Sequence, residues 1–62
     1  MKVYKVIYEC GWGERTEKRK IVLASGVEQC AKDAARWGKK NLSNPEVKFI
    51  ELLYTIDVFY KS

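Results

Sequence analysis

Apolar residues recur at every second position near both ends of the chain and at helical spacing between them. Val3 to Glu9 alternates, with Tyr4, Val6 and Tyr8 on one side and Val3 and Ile7 on the other, the period of a β-strand. Thr16 to Ala24 reads as a second strand, charged at first (TEKRK) and then apolar (IVLA), with the charged half guarding an edge against unwanted pairing. Between them, Cys10-Gly11-Trp12-Gly13-Glu14 is a turn whose glycines supply positive φ cheaply and close a hairpin. The last stretch, Glu46 to Tyr60, carries Ile50, Leu52, Tyr54, Ile56, Val58 and Tyr60 at alternate positions. Half of its intervening positions, Phe49, Leu53 and Phe59, are apolar too. A strand that is apolar on both faces needs cover on both.

Ser25 opens the helical segment, and Glu28 three residues later completes a capping-box pattern. Val27, Cys30, Ala31, Ala34, Trp37 or Gly38, and Leu42 form one apolar stripe, while Lys32, Asp33, Arg36, Lys39 and Lys40 fall mostly on the other side. Glu28 and Lys32 are spaced for an i,i+4 pair, and the small side chains of Cys30, Ala31 and Ala34 let the helix sit close to a sheet. Asn44 precedes Pro45, which disfavours helical backbone there and stops the segment between Asn41 and Pro45. The order is ββαβ. A hairpin followed by a right-handed crossover predicts an α+β fold, with a three-stranded antiparallel sheet in the order 2-1-3 and one helix on one face. The first strand is central, and the third is an edge that outruns it.

That topology leaves one sheet face without a partner. If the helix covers Val22, Ala24 and the even positions Ile50 to Tyr60, the reverse face displays Ile21 and Leu23 with Phe49, Leu53 and Phe59. An apolar patch of several hundred Å² usually marks an interaction site. A bent or bulged last strand that wraps its ends around the helix is the alternative.

Sixty-two residues make a single domain, 1–62, near the lower limit for independent folding, and such scaffolds usually add a disulfide, a metal or a partner subunit. There is no histidine, and two cysteines cannot build a four-cysteine zinc site within one chain. Cys10 and Cys30 fall at opposite ends of the sheet, too far apart for a disulfide. Cys30 reads as a small buried hydrophobe and Cys10, near the turn, as a candidate exposed thiol. Without histidine, a serine or cysteine nucleophile needs a desolvated lysine base, and Ser25 is better explained as a cap. Glu51 and Asp57 share a strand face without an enclosing cleft, and Gly11-Trp12-Gly13 joins strand to strand with no helix N-terminus after it. The chain therefore reads as a non-enzyme with no catalytic, metal or cofactor site. No apolar run reaches the length of a membrane span and the N-terminus begins a strand pattern, so the expected setting is soluble and cytoplasmic.

The net charge of +4 is concentrated in residues 15 to 40. Arg15, Lys18, Arg19 and Lys20 lie on the second strand or just before it, and Lys32, Arg36, Lys39 and Lys40 on the helix. Such bases suit oriented docking onto a protein, and with nearby aromatic side chains they also suit phosphate contacts with nucleic acid. Glu14 and Glu17 interrupt the run. Trp12, flanked by glycines at a hairpin tip, either folds down over the sheet edge or stands out as an interface anchor. Trp37 reads as core.

The segment from Lys20 onward resembles a pattern met in small bacteriophage and mobile-element proteins. Its features are a strand ending in Val22-Leu23-Ala24, a capped helix with Glu28, Cys30 and Ala34, and a closing strand from Val47. Inhibitors of host RNA polymerase and small type I anti-CRISPR proteins are similar in size and ββαβ order. The resemblance implies a host-takeover class that works by occupying a surface of a host protein or defence complex. The polymerase inhibitors place functional arginines on the last strand, whereas no arginine follows Arg36 here. The leading expectation is a protein-binding module contacting its partner through Trp12, Arg15, Lys18, Arg19, Lys20, Phe49, Leu53 and Phe59. A nucleic-acid binder using the second strand with Lys32, Arg36, Lys39 and Lys40, and a homodimer joined by sheet faces or last strands, are the alternatives.

Overall fold

Tyr4, Val6 and Tyr8 run down the middle of a three-stranded antiparallel sheet and are covered by one helix. The computed structural model describes residues 1–56. Its elements are β1 (Lys2–Cys10), β2 (Thr16–Ala24), α1 (Val27–Asn41) and β3 (Glu46–Thr55), with the strands ordered β2-β1-β3. This is the α+β, ββαβ arrangement that the hydrophobic pattern predicts.

The register sorts side chains between two faces. Beneath the helix lie the rows Val22·Tyr4·Leu52, Lys20·Val6·Ile50 and Lys18·Tyr8·Val47. Cys30, Ala34 and Gly38 are the helix positions fully buried against them. They stand four residues apart and carry small side chains, so the helix axis settles close over β1.

Tyr8 fills the space this leaves. Its side chain is wholly buried, and its hydroxyl donates a 2.6 Å hydrogen bond to the Ala34 carbonyl. Its ring lies 5.7 Å from that of Trp37, tilted by 43°. A Cβ at Gly38 would come within 2.8 Å of Tyr8 Cε1. Burial, and secondarily the nearby Cys30 thiol, push the Tyr8 phenol above its ordinary pKa. Burial and then Asp33 push Cys30 up in the same way. Trp37 closes the core from the helix side, and the Lys20 ammonium sits 4.4 Å above its ring centre.

Three local expectations are corrected. The helix begins at Val27, one residue later than the capping box places it, because Gly26, in extended backbone, is the N-cap and no side chain caps the first turn. Ser25 is therefore too early to reach the first-turn amides, and Glu28 serves only as an acidic residue near the positive end of the helix dipole. On the helix surface the ion pair is Arg36 with Asp33 (3.9 Å), and Gln29 donates to Asp33, in place of a Glu28–Lys32 pair. Cys10 is buried, because the α1–β3 loop closes over this end of the sheet, with the Gly11 amide donating to the Ser43 carbonyl at 2.7 Å. Both thiols are free.

The last strand departs most from strict alternation. Its register against β1 shifts at Lys48 and again at Leu53. The second shift moves Tyr54 from the helix side, where period-2 counting puts it, to the reverse face opposite Val3. Val58, Phe59 and Tyr60 lie outside the described residues.

Two consequences are measurable. Gly38→Ala, which raises helix propensity by about 1 kcal/mol, is expected to destabilise the protein by about 1–3 kcal/mol. The Tyr8 ring cannot swing away while its hydroxyl is tied to Ala34, and urea unfolding reads the difference. Tyr8→Phe is expected to cost about 1 kcal/mol for the lost hydrogen bond. Because the folded-state pKa of Tyr8 is raised, its contribution is intact below the unfolded value of about 10 and is lost as pH climbs through the folded value. The variant should therefore lose less stability than the wild type between neutral and strongly alkaline pH, as followed by denaturation at successive pH values.

Candidate protein-docking surfaces

The face of the sheet turned away from the helix is built from four cross-strand rows. In order from the chain-terminal end to the hairpin turn they are Leu23·Val3·Tyr54, Ile21·Lys5·Glu51, Arg19·Ile7·Phe49 and Glu17·Glu9·Glu46. No element packs on them among the described residues. Ile21, Leu23, Phe49 and Tyr54 are 54%, 56%, 54% and 58% exposed, while Val3, flanked by Leu23 and Tyr54, is buried without any help from the helix. The result is an apolar surface at one end that grades into charge at the other.

Among the described residues each carboxylate on this face has its own cation. Glu51 pairs with Lys5 at 3.1 Å, Glu9 with Arg15 at 3.3 Å, Glu17 with Arg19 at 3.2 Å and Glu46 with Lys48 at 3.4 Å. Three glutamates side by side across a sheet repel one another, and the neighbouring bases offset that. The surface is thereby electrically balanced. Apart from these four pairs, residues 1–56 hold seven lysines and arginines against three acids, so the chain's positive charge lies elsewhere.

A second feature stands at the hairpin turn. Arg15 reaches across it to donate from Nη2 to the Glu9 carbonyl (3.0 Å) and from Nη1 to the carbonyls of Gly11 and Asn44, the latter at 2.9 Å. The Asn44 side chain donates to the same Gly11 carbonyl at 3.3 Å. Asn44 holds φ at 46°, a left-handed conformation asparagine tolerates, and this brings its groups round to the turn. The turn is thus clasped to the α1–β3 loop. Trp12 projects from it 77% exposed, between Gly11 (φ 104°) and Gly13 (φ 74°). An indole held out on a braced loop loses little conformational entropy on docking.

The residues singled out from the sequence do not form one site. Phe49 and Arg19 share a row on the reverse face. Lys18 and Lys20 point to the helix side, Lys20 being engaged with Trp37. Arg15 is committed to the internal clasp, and Trp12 stands alone at the tip. Leu53 is exposed at the second register shift, and Phe59 lies outside the described residues. Lys32, Arg36, Lys39 and Lys40 are all exposed on the helix. Tyr54 joins this exposed face unforeseen; the adjacent apolar pair Leu52-Leu53, which breaks alternation, was the one signal available.

Among the described residues no helix is long and apolar enough to cross a membrane. No protein-family model matches the chain, and neither does any curated protein or solved structure compared with it.

The clasp makes its own prediction. Arg15→Ala is expected to cost about 1–3 kcal/mol, because it leaves part-buried carbonyls without their donor. The Gly11 amide, held to Ser43, should then exchange with solvent faster while the Val6 amide keeps its protection. Amide exchange followed by NMR distinguishes this local release from general unfolding.

Proposed function

We propose that this chain is a non-enzymatic protein-binding module that acts by occupying surfaces. The reading is carried by one observation: four large apolar side chains on one sheet face stay more than half exposed in a domain with little core to spare. Trp12 provides a separate anchor of the residue type that dominates interface energetics. The resemblance to small host-takeover proteins makes a larger host protein or defence complex the target class, with inhibition as the outcome. The paired charges around the apolar rows favour orientation and specificity over raw affinity.

Site-specific photo-crosslinking tests this directly. A benzophenone side chain replacing Ile21, in bacterial cells expressing the chain, is expected to give discrete protein adducts, whereas the same group replacing Lys39 on the exposed helix surface should not. Absence of any protein adduct from position 21 would count against the reading. Adducts to nucleic acid from position 39 alone would replace it with phosphate binding by the helix side.

A further inference from the structure

The reverse face has properties that narrow its partner, and we infer that it is occupied by a second copy of this chain, stacked sheet to sheet about a two-fold axis that runs along the strands. The inference rests on the reading of this face as a protein-docking surface. Two features argue for self-association, and a third sets its strength.

The first is charge. A surface that must meet its own copy cannot carry a net charge of one sign, because like charges facing each other in a partly dehydrated interface repel. The protein is basic overall, yet among the described residues each of the four acids on this face is paired with a base. The surplus positive charge lies off it, where stacking would point it outward to solvent.

The second is the gradient along the rows, which selects one symmetry. Two sheets meeting face to face can be related by a two-fold axis either across the strands or along them. An axis across the strands sets the apolar row Leu23·Val3·Tyr54 against the acidic row Glu17·Glu9·Glu46 of the copy. An axis along the strands sets each row against its own counterpart with β2 over β3. Leu23 then faces Tyr54, and Val3 faces Val3. Ile21 faces Glu51, with the two Lys5 side chains near the axis and each paired with its own Glu51. Arg19 comes over the Phe49 ring, an arrangement suited to cation–π contact. The roughly 30° rotation between stacked sheets preserves this order at the centre and leaves the glutamate rows near a hydrated rim.

The third is area. Rows about 6.8 Å apart on strands about 4.8 Å apart give a flat footprint on the order of 400 Å² per protomer, hence about 800 Å² for the pair. Relief of the side chains adds to this, but the total stays near or below the lower end of stable interfaces, about 1,200 Å². The dimer is accordingly weak and concentration-dependent. It also brings the two hairpin turns to the same end, so that two Trp12 side chains face a target together and bind it bivalently.

Sedimentation equilibrium on the purified chain, from micromolar to near-millimolar concentration, is the test. Wild type is expected to shift from monomer to dimer with rising concentration. Leu23→Glu should raise the dimer dissociation constant by more than about tenfold, since it sets unpaired carboxylates against the apolar row, while Lys39→Glu should leave it unchanged. A wild type that stays monomeric throughout overturns the inference, as does dimerisation that Leu23→Glu does not weaken. If the chain is monomeric and Ile21 still crosslinks to a different protein, the second-copy inference falls while the docking reading stands. Spin labels on a Trp12→Cys variant read the symmetry: same-end turns lie within roughly 25 Å, opposite ends beyond roughly 30 Å. Opposite ends overturn the axis proposed.

Discussion

The position of the helix over the sheet depends on Tyr8. Its ring occupies the gap beneath Gly38, its hydroxyl ties to the Ala34 carbonyl one turn earlier, and the ring packs at a tilt against Trp37. Three helix positions are thereby specified by one strand residue. Ala34 and Gly38 are small because the tyrosine is large, and the helix can approach β1 only where they face it. Lys20 over Trp37 then seals the side of this contact nearest β2. The core is small, and its geometry is set by a few close contacts rather than by bulk.

Such economy on one side of the sheet explains the state of the other. A single helix of 15 residues can cover only one face of three strands nine or ten residues long. The chain nevertheless keeps apolar residues on the uncovered face and, among the described residues, pairs each carboxylate there with a base. Burying such pairs against an apolar surface is costly unless their partners stay in place. The charged end of the face therefore favours contact with water, and the Leu23·Val3·Tyr54 end is the part that burial would favour. Both register shifts fall in β3, and bulges of this kind discourage further strands from adding to an edge. The broad face, by contrast, stays uncovered among the described residues.

How much of this was legible in the sequence follows from which interactions obey a period. β1 alternates without a fault, so the division of Tyr4, Val6 and Tyr8 from Val3 and Ile7 could be counted off directly, and the same holds for Val22 and Ala24 against Ile21 and Leu23. The β3 register could not, because a bulge inverts every later position and period-2 counting has no term for it. The helix start was misplaced by one residue: Ser25 and Glu28 match a capping pattern, but extended backbone at Gly26 makes that glycine the cap. Arg15 was out of reach for a different reason. Its partners are mainly backbone carbonyls, which leave no mark in side-chain identity, and one of them belongs to a loop on the far side of the helix in sequence. Trp12 could be recognised as unusual without knowing that its loop was braced.

The Arg15 clasp ties the hairpin tip to the order in which the chain is completed. The hairpin is local and can close early, whereas Ser43 and Asn44 arrive at the turn only after the helix has crossed back and β3 has docked along β1. Until then the tip has no outer support, and Trp12 is not held in its final direction. Presentation of the indole is therefore a readout of the finished fold: a chain cut short, or one with β3 detached, lacks the brace that aims it. The brace around the exposed tip is completed only by the contacts that also set the register of β3 against β1.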